Sequence, residues 1–149
     1  MTDDLFALAL DLTERESGRP KQASIRRAIS SAYYGLFHAL LRMFADQVAG
    51  RGARNDDVYA SIYRYPEHAT LLRKLLEIDD RDVRAIAATL KILQQLRMQA
   101  DYDPLPFGMG KSEAQELIIH AREAANAVRL LKPKQRLATT AAILSSKRR

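Results

Sequence analysis

Residues 26–41 read RRAISSAYYGLFHALL, an apolar stretch that also carries side chains able to do chemistry. On a helical wheel of about 100° per residue, Arg27, Ser31, Tyr34 and His38 fall within roughly 60° of one another. A histidine titrates near neutral pH, and with an arginine and a phenol beside it could move a proton next to a bound anion. The bland reading is that Tyr34 and His38 are packing residues whose polar tips reach water or a carbonyl. Further along, Arg97 and Asp101 stand four residues apart on a helical pattern and continue the apolar stripe of Val83, Ile86, Leu90 and Leu93. They form either a structural ion pair at the edge of the core or, through the planar guanidinium fork, a phosphate-binding group.

The other histidines carry less. His68 follows Pro66 and is expected to be exposed, and His120 shares its helix with Glu116 and Glu123 as part of a solvated face. No HExxH or CxxC pattern occurs, so neither a transition-metal site nor another cofactor is expected. The glycines of FGMG do not make a phosphate loop, because no strand precedes them.

Helices must position these groups, since apolar residues recur at spacings of three and four and no alternating run stands out. An all-α, up-and-down bundle of four to five helices follows. The first is predicted over about 3–15, with Thr2 or Asp3 as its cap. The second starts near Pro20 and runs unbroken to about Ala49, before Gly50 and Gly52, as the long spine of the fold. RGARND is a loop. A short or broken helix spans about 57–77 across Pro66. The fourth opens at Asp79 or Asp80 and ends near Tyr102, before Pro104. LPFGMG is a loop, and Ser112 with Gln115 reads as a capping box opening the fifth helix, which ends near Leu131.

The chain has 149 residues, the size of one ordinary domain, and no cysteine, which excludes disulfides and thiolate chemistry and fits a reducing, cytoplasmic setting. No apolar run reaches membrane-spanning length. The net charge of +6 is misleading. Residues 132–149 hold Lys132, Lys134, Arg136, Lys147, Arg148 and Arg149 with no acid, so residues 1–131 are formally neutral. The expected division is a bundle over 1–131 and a basic tail over 132–149, frayed or disordered, which could itself be a nucleic-acid arm.

The pair RRAISSAYYGLFHALL and LRMQADYDP, followed by an alanine-rich last helix, resembles the HEPN superfamily of helical bundles, in its small prokaryotic branch with R-x-A-Y-Y-x-x-F-H-A and R-x-x-A-D-Y type motifs. The matching positions are Arg27, Ala32, Tyr33, Tyr34, Phe37, His38 and Ala39, then Arg97, Ala100, Asp101 and Tyr102. The resemblance implies a bundle that is often a homodimer, acts beside a nucleotidyltransferase-like partner protein, and in many members is a metal-independent ribonuclease of toxin–antitoxin or defence systems. In such members four to six residues separate an arginine from the histidine that follows it. Here Tyr102, Asp103 and Pro104 stand where that histidine would be.

The resemblance therefore leaves the enzyme question open between two routes. In one, His38 meets Arg97 across two helices and acts on RNA, with Arg27, Tyr34, Asp101 and Tyr102 around the same polar cleft. In the other, the cleft is a non-catalytic site for a nucleotide or a protein partner and a dimerisation surface.

Overall fold

The computed structural model describes residues 1–145 and is all-helical, with no strand among them. Seven α-helices follow in order: α1 Thr2–Glu14, α2 Gln22–Ala49, α3 Asp57–Tyr63, α4 His68–Leu76, α5 Arg81–Tyr102, α6 Lys111–Leu130 and α7 Pro133–Leu144. At 28 residues α2 is about 42 Å long. Helices α1, α3, α5, α6 and α7 all pack against it, so it is the spine the sequence predicted.

The small residues of α2 explain how a helix can be touched from so many sides. Ala28, Ala32 and Ala39 are buried, and Gly35 lies under the ring of Phe6 from α1. A Cβ at Gly35 would stand 2.7 Å from two carbons of that ring. Beside this stripe, Ile25, Ile29, Leu36, Leu40 and Met43 supply bulk and are all buried. Ile25 and Ile29 form a smaller cluster with Ala114 of α6, while the main core takes in Leu71 and Leu75 of α4, Leu90 and Leu93 of α5, and Ile118 and Ala125 of α6.

Gly50 ends α2 at φ +83°, a conformation that costs glycine little, and a single 3-10 turn over Arg51–Ala53 follows. This turn bends the chain back, so that Arg54 donates to both carboxylate oxygens of Asp46 at 2.9 and 2.5 Å, and the Tyr59 hydroxyl donates to the same group at 2.8 Å. The expected broken helix across Pro66 is two helices, α3 and α4. Asp80 caps α5 by accepting from the Val83 N–H at 3.0 Å.

Two sequence expectations are corrected here. Ser112 is not a cap: α6 begins one residue earlier, after Gly110, and Gln115 instead donates to Thr13 Oγ1 at 3.0 Å and Glu14 Oε1 at 2.6 Å. Partners on α1 were available to the amide and outcompeted the local motif. The stretch left without a fold is also ordered, since Pro133–Leu144 forms α7, with Thr139, Thr140 and Ile143 buried. Gln135 anchors its start, accepting from the Lys132 N–H at 2.9 Å and donating to Asp80 and Asp82. Lys147, Arg148 and Arg149 of the expected tail lie outside the described residues.

Candidate functional site

Helices α2, α3, α4 and α5 meet around the middle of α2, and there aromatic and titratable side chains gather. Tyr33 is fully buried, and its hydroxyl lies 2.5 Å from His68 Nδ1 at the start of α4. One face of the His68 ring stacks on Phe37, with centroids 4.1 Å apart and planes at 16°. His38, one turn along α2 from Tyr34, has its Nδ1 2.6 Å from the Tyr63 hydroxyl of α3. Arg97 of α5 lies over the Tyr33 ring at 4.9 Å and the Tyr34 ring at 5.6 Å from the centroids, a cation–π arrangement on two rings.

Arg97 is held but incompletely bonded. Its side chain is only 12% exposed. One terminal nitrogen donates to the Tyr34 hydroxyl and to Asp101 Oδ2, each at 3.4 Å, at the long end of hydrogen bonding. Its Nε is buried with no partner. Ser30 also donates to Asp101 Oδ2 at 3.4 Å.

Electrostatics sort the two histidines. Burial lowers the pKa of both from the usual histidine range. The positive charge of Arg97 is the next cause for His68, and the positive charge of the chain's N-terminus the next for His38. Tyr33 is pushed up to about 12 by burial, and Tyr63 to about 12 for the same reason, so both phenols keep their protons.

The proton positions depend on the tautomer of each ring. The Tyr63 hydroxyl has two acceptors in reach, His38 Nδ1 at 2.6 Å and the His38 carbonyl at 3.4 Å; only donation to the carbonyl places the His38 proton on Nδ1 and leaves Nε2 as a base, the tautomer a catalytic His38 requires. The Tyr33 hydroxyl has His68 Nδ1 as its one hydrogen-bond partner among the described residues, so it donates there and puts the His68 proton on Nε2. In this arrangement His38 offers a base, while His68 and Arg97 offer donors.

The structure brings Tyr34, Arg97 and Asp101 into contact and places His38 on the far side of Tyr34, ring centroids 6.3 Å apart, with Tyr63 and not Arg97 as its partner. It leaves out Arg27, which is exposed and makes none of these contacts, and Tyr102, which is 74% exposed at the end of α5. His68, expected to be exposed, is half-buried: Pro66 turns the chain back against α2 instead of out to solvent. Its signal was its place beside a helix-starting proline turn, which reads equally well as a surface cap. Tyr33, a motif position in the sequence, and Tyr63, at the end of α3, join the cluster as the phenol partners of the two histidines.

Arg26, adjacent to the expected Arg27, has a different task. One guanidinium nitrogen donates to the carbonyls of Gln99, Ala100 and Asp103 at 3.1, 2.9 and 2.8 Å, and the other to that of Leu105 at 2.5 Å. It closes the C-terminus of α5 and fixes the loop to Phe107, whose ring it also covers. Among the described residues no three metal-ligating side chains gather into a site, and no helix is long and apolar enough to cross a membrane. Comparison with protein-family models, with curated proteins and with solved structures finds no match to this chain.

Proposed function

We propose that this is an RNA-directed protein of HEPN type in which the Arg97 cluster binds a phosphodiester and cleaves it without metal. The observation that carries this reading is Arg97 itself: a guanidinium laid over two phenol rings, with long bonds to its neighbours and a buried Nε without partner. An anion would meet such a group at its terminal nitrogens, since Nε is sealed from solvent, and phosphate oxygens match those donors. Two histidines, neutral at pH 7 by the direction of their shifts, stand in the same aromatic cluster.

In the reaction His38 Nε2 takes the proton of a ribose 2′-hydroxyl. The 2′ oxygen bonds to phosphorus, the bond to the 5′ oxygen breaks, and the departing oxygen takes its proton from water. Arg97 and His68 Nε2–H meet the charge that develops on the phosphoryl oxygens. The products are a 2′,3′-cyclic phosphate and a 5′-hydroxyl end. The resemblance adds the setting: a cytoplasmic homodimer in a toxin–antitoxin or defence system, paired with a nucleotidyltransferase-like protein.

A second reading is favoured by the Tyr33–His68 and Tyr63–His38 bonds, which tie one nitrogen of each ring to a phenol. There the cluster is a fixed polar seam in a binding and dimerisation module for a nucleotide or protein partner. Incubating the purified protein with single-stranded RNA in chelator separates the two. Cleavage with cyclic-phosphate ends, lost in Arg97→Ala and His38→Ala, is expected; RNA left intact by the wild-type protein, or cut equally by both variants, defeats the ribonuclease reading.

A further inference from the structure

On the other side of α2 from the aromatic cluster, and nearer its C-terminus, a cavity of about 590 Å³ opens between α1, α2, the turn after Gly50, α6 and α7. Five arginines line it: Arg42, Arg51, Arg54, Arg129 and Arg136. Only two carboxylates, Asp3 and Asp46, face them, so the lining arginines exceed the lining acids by three, and the Met1 amine adds a further positive group.

The two acids are also occupied. Asp46 receives Arg54 through both oxygens and the Tyr59 hydroxyl as well, which leaves it little capacity for Arg42 or Arg51. Asp3 is taken by Arg129, whose other terminal nitrogen donates to Asn126 and which also donates to the Thr2 hydroxyl, so Arg129 stands at the rim of the cavity already bonded. The side chains of Arg42 and Arg51 make no hydrogen bond among the described residues; Arg42 lies near enough to Asp46 for its charge to help lower that carboxyl, while Arg51 faces no acid of its own. Arg136 spends one nitrogen on the Leu131 carbonyl and keeps the rest of its fork. Beneath them, buried Ala39, Met43 and Val128 give the cavity an apolar floor.

Gathering like charges in a concavity raises the cost of the empty state and focuses a positive potential into it. The sequence explains why this is invisible in composition: residues 1–131 are neutral in sum, and the excess is local. A lone phosphate carries roughly two charges and would engage only part of the ring of guanidinia. The volume falls within the range of about 300–1,000 Å³ typical of small-molecule sites, larger than one phosphate needs.

We infer that this cavity binds a small molecule bearing two or three linked phosphates, with Arg42 and Arg51 as the primary phosphate ligands. Arg136 closes on the chain of phosphates and Arg129 stands at the rim, while Arg54 stays paired with Asp46 and holds the turn in place. The phosphate chain could belong to a nucleoside triphosphate or to inorganic polyphosphate. The site shares no residue with the Arg97 cluster and stands whether or not that cluster cleaves RNA.

Calorimetric titration of the full chain at low ionic strength with inorganic tripolyphosphate, ATP and AMP tests this. Tripolyphosphate and ATP are expected to bind at least tenfold tighter than AMP, to raise Tm, and to weaken as salt is added. Equal affinity for the two identifies the inorganic chain as the ligand; tighter binding of ATP identifies a nucleotide. The double variant R42Q/R51Q is expected to lose at least tenfold in affinity while keeping its helical circular dichroism. Should it misfold, R51Q alone, on the exposed turn, is expected to lose several-fold. R97A is expected to bind normally. The inference is overturned if neither polyphosphate binds at millimolar concentration, if R42Q/R51Q binds undiminished, if R97A abolishes binding, or if only an oligonucleotide binds.

Discussion

The Tyr33 hydroxyl and His68 Nδ1 lie 2.5 Å apart, joining the buried face of α2 to the first residue of α4. A fully buried phenol without this partner would leave a polar group unsatisfied, so the contact fixes where α4 starts as much as it orients the imidazole. Tyr33→Phe is expected to lower stability by about 1 kcal/mol in urea unfolding and to raise hydrogen exchange in residues 68–72. A larger loss confined to activity would mean that the hydroxyl serves chemistry instead.

Acid should destabilise the protein before its carboxylates titrate. Both His38 and His68 have pKa values lowered in the fold, chiefly by burial. The unfolded chain therefore binds more protons, and stability rises with pH through the histidine range. The full value is present above about pH 6.5, the ordinary histidine pKa, and is lost as pH falls toward the folded values. Urea midpoints between pH 7.5 and 5.5 are expected to decline in the wild-type protein and to flatten in the double variant H38Q/H68Q. An unchanged slope in that variant would assign the effect to other groups.

Replacing Gly35 with alanine is expected to destabilise, although alanine is the better helix former by about 1 kcal/mol. The added Cβ would meet the Phe6 ring at 2.7 Å, and overpacking of this kind costs about 1–3 kcal/mol. Phe6→Leu should restore part of the loss, so a double-mutant cycle of thermal melts would show coupling between the two positions. Additive effects would show that α1 is not held by this contact.

Arg26→Ala is expected to cost about 2 kcal/mol and to expose the amides of Asp103, Leu105 and Phe107 to exchange, because the guanidinium serves four carbonyls at once. Arg26→Lys should recover little, since an ammonium cannot reach along both arms of that fork. Full recovery by lysine would reduce the role of Arg26 to its charge.

Deleting residues 133–149 is expected to lower stability by about 2–4 kcal/mol, because burial of Ile143 and the Gln135 contacts are lost with α7. Ile143→Ala alone should cost about 2 kcal/mol. An undisturbed melt after the deletion would return this segment to the status of an appendage.

The long second helix, the loops at 50–56 and 103–110, and the ends of α5 were legible because each is written locally, in an apolar period, a glycine or a proline. The stripe holding Tyr34 and His38 was legible for the same reason. What faces the stripe was not, because Tyr63 reaches it from α3 and His68 from the start of α4, packings between distant segments that leave no local mark. The same limit hid α7: its alanines and threonines have weak helical amphipathicity, and its order comes from Met43, Lys74 and Asp80, all distant in sequence. Arg26 and Arg27 are indistinguishable by residue type, and only the position of the α5 terminus decides which of them is used.

The closure at the start of α2 bears on how the chain is made. Phe6 and Gly35 can meet when fewer than fifty residues have left the ribosome, but Ile25 and Ile29 wait for Ala114, and Arg26 waits for Leu105. During synthesis the middle of the spine is thus covered early while its first turns stay bare for most of the chain's length, an interval of exposed apolar surface.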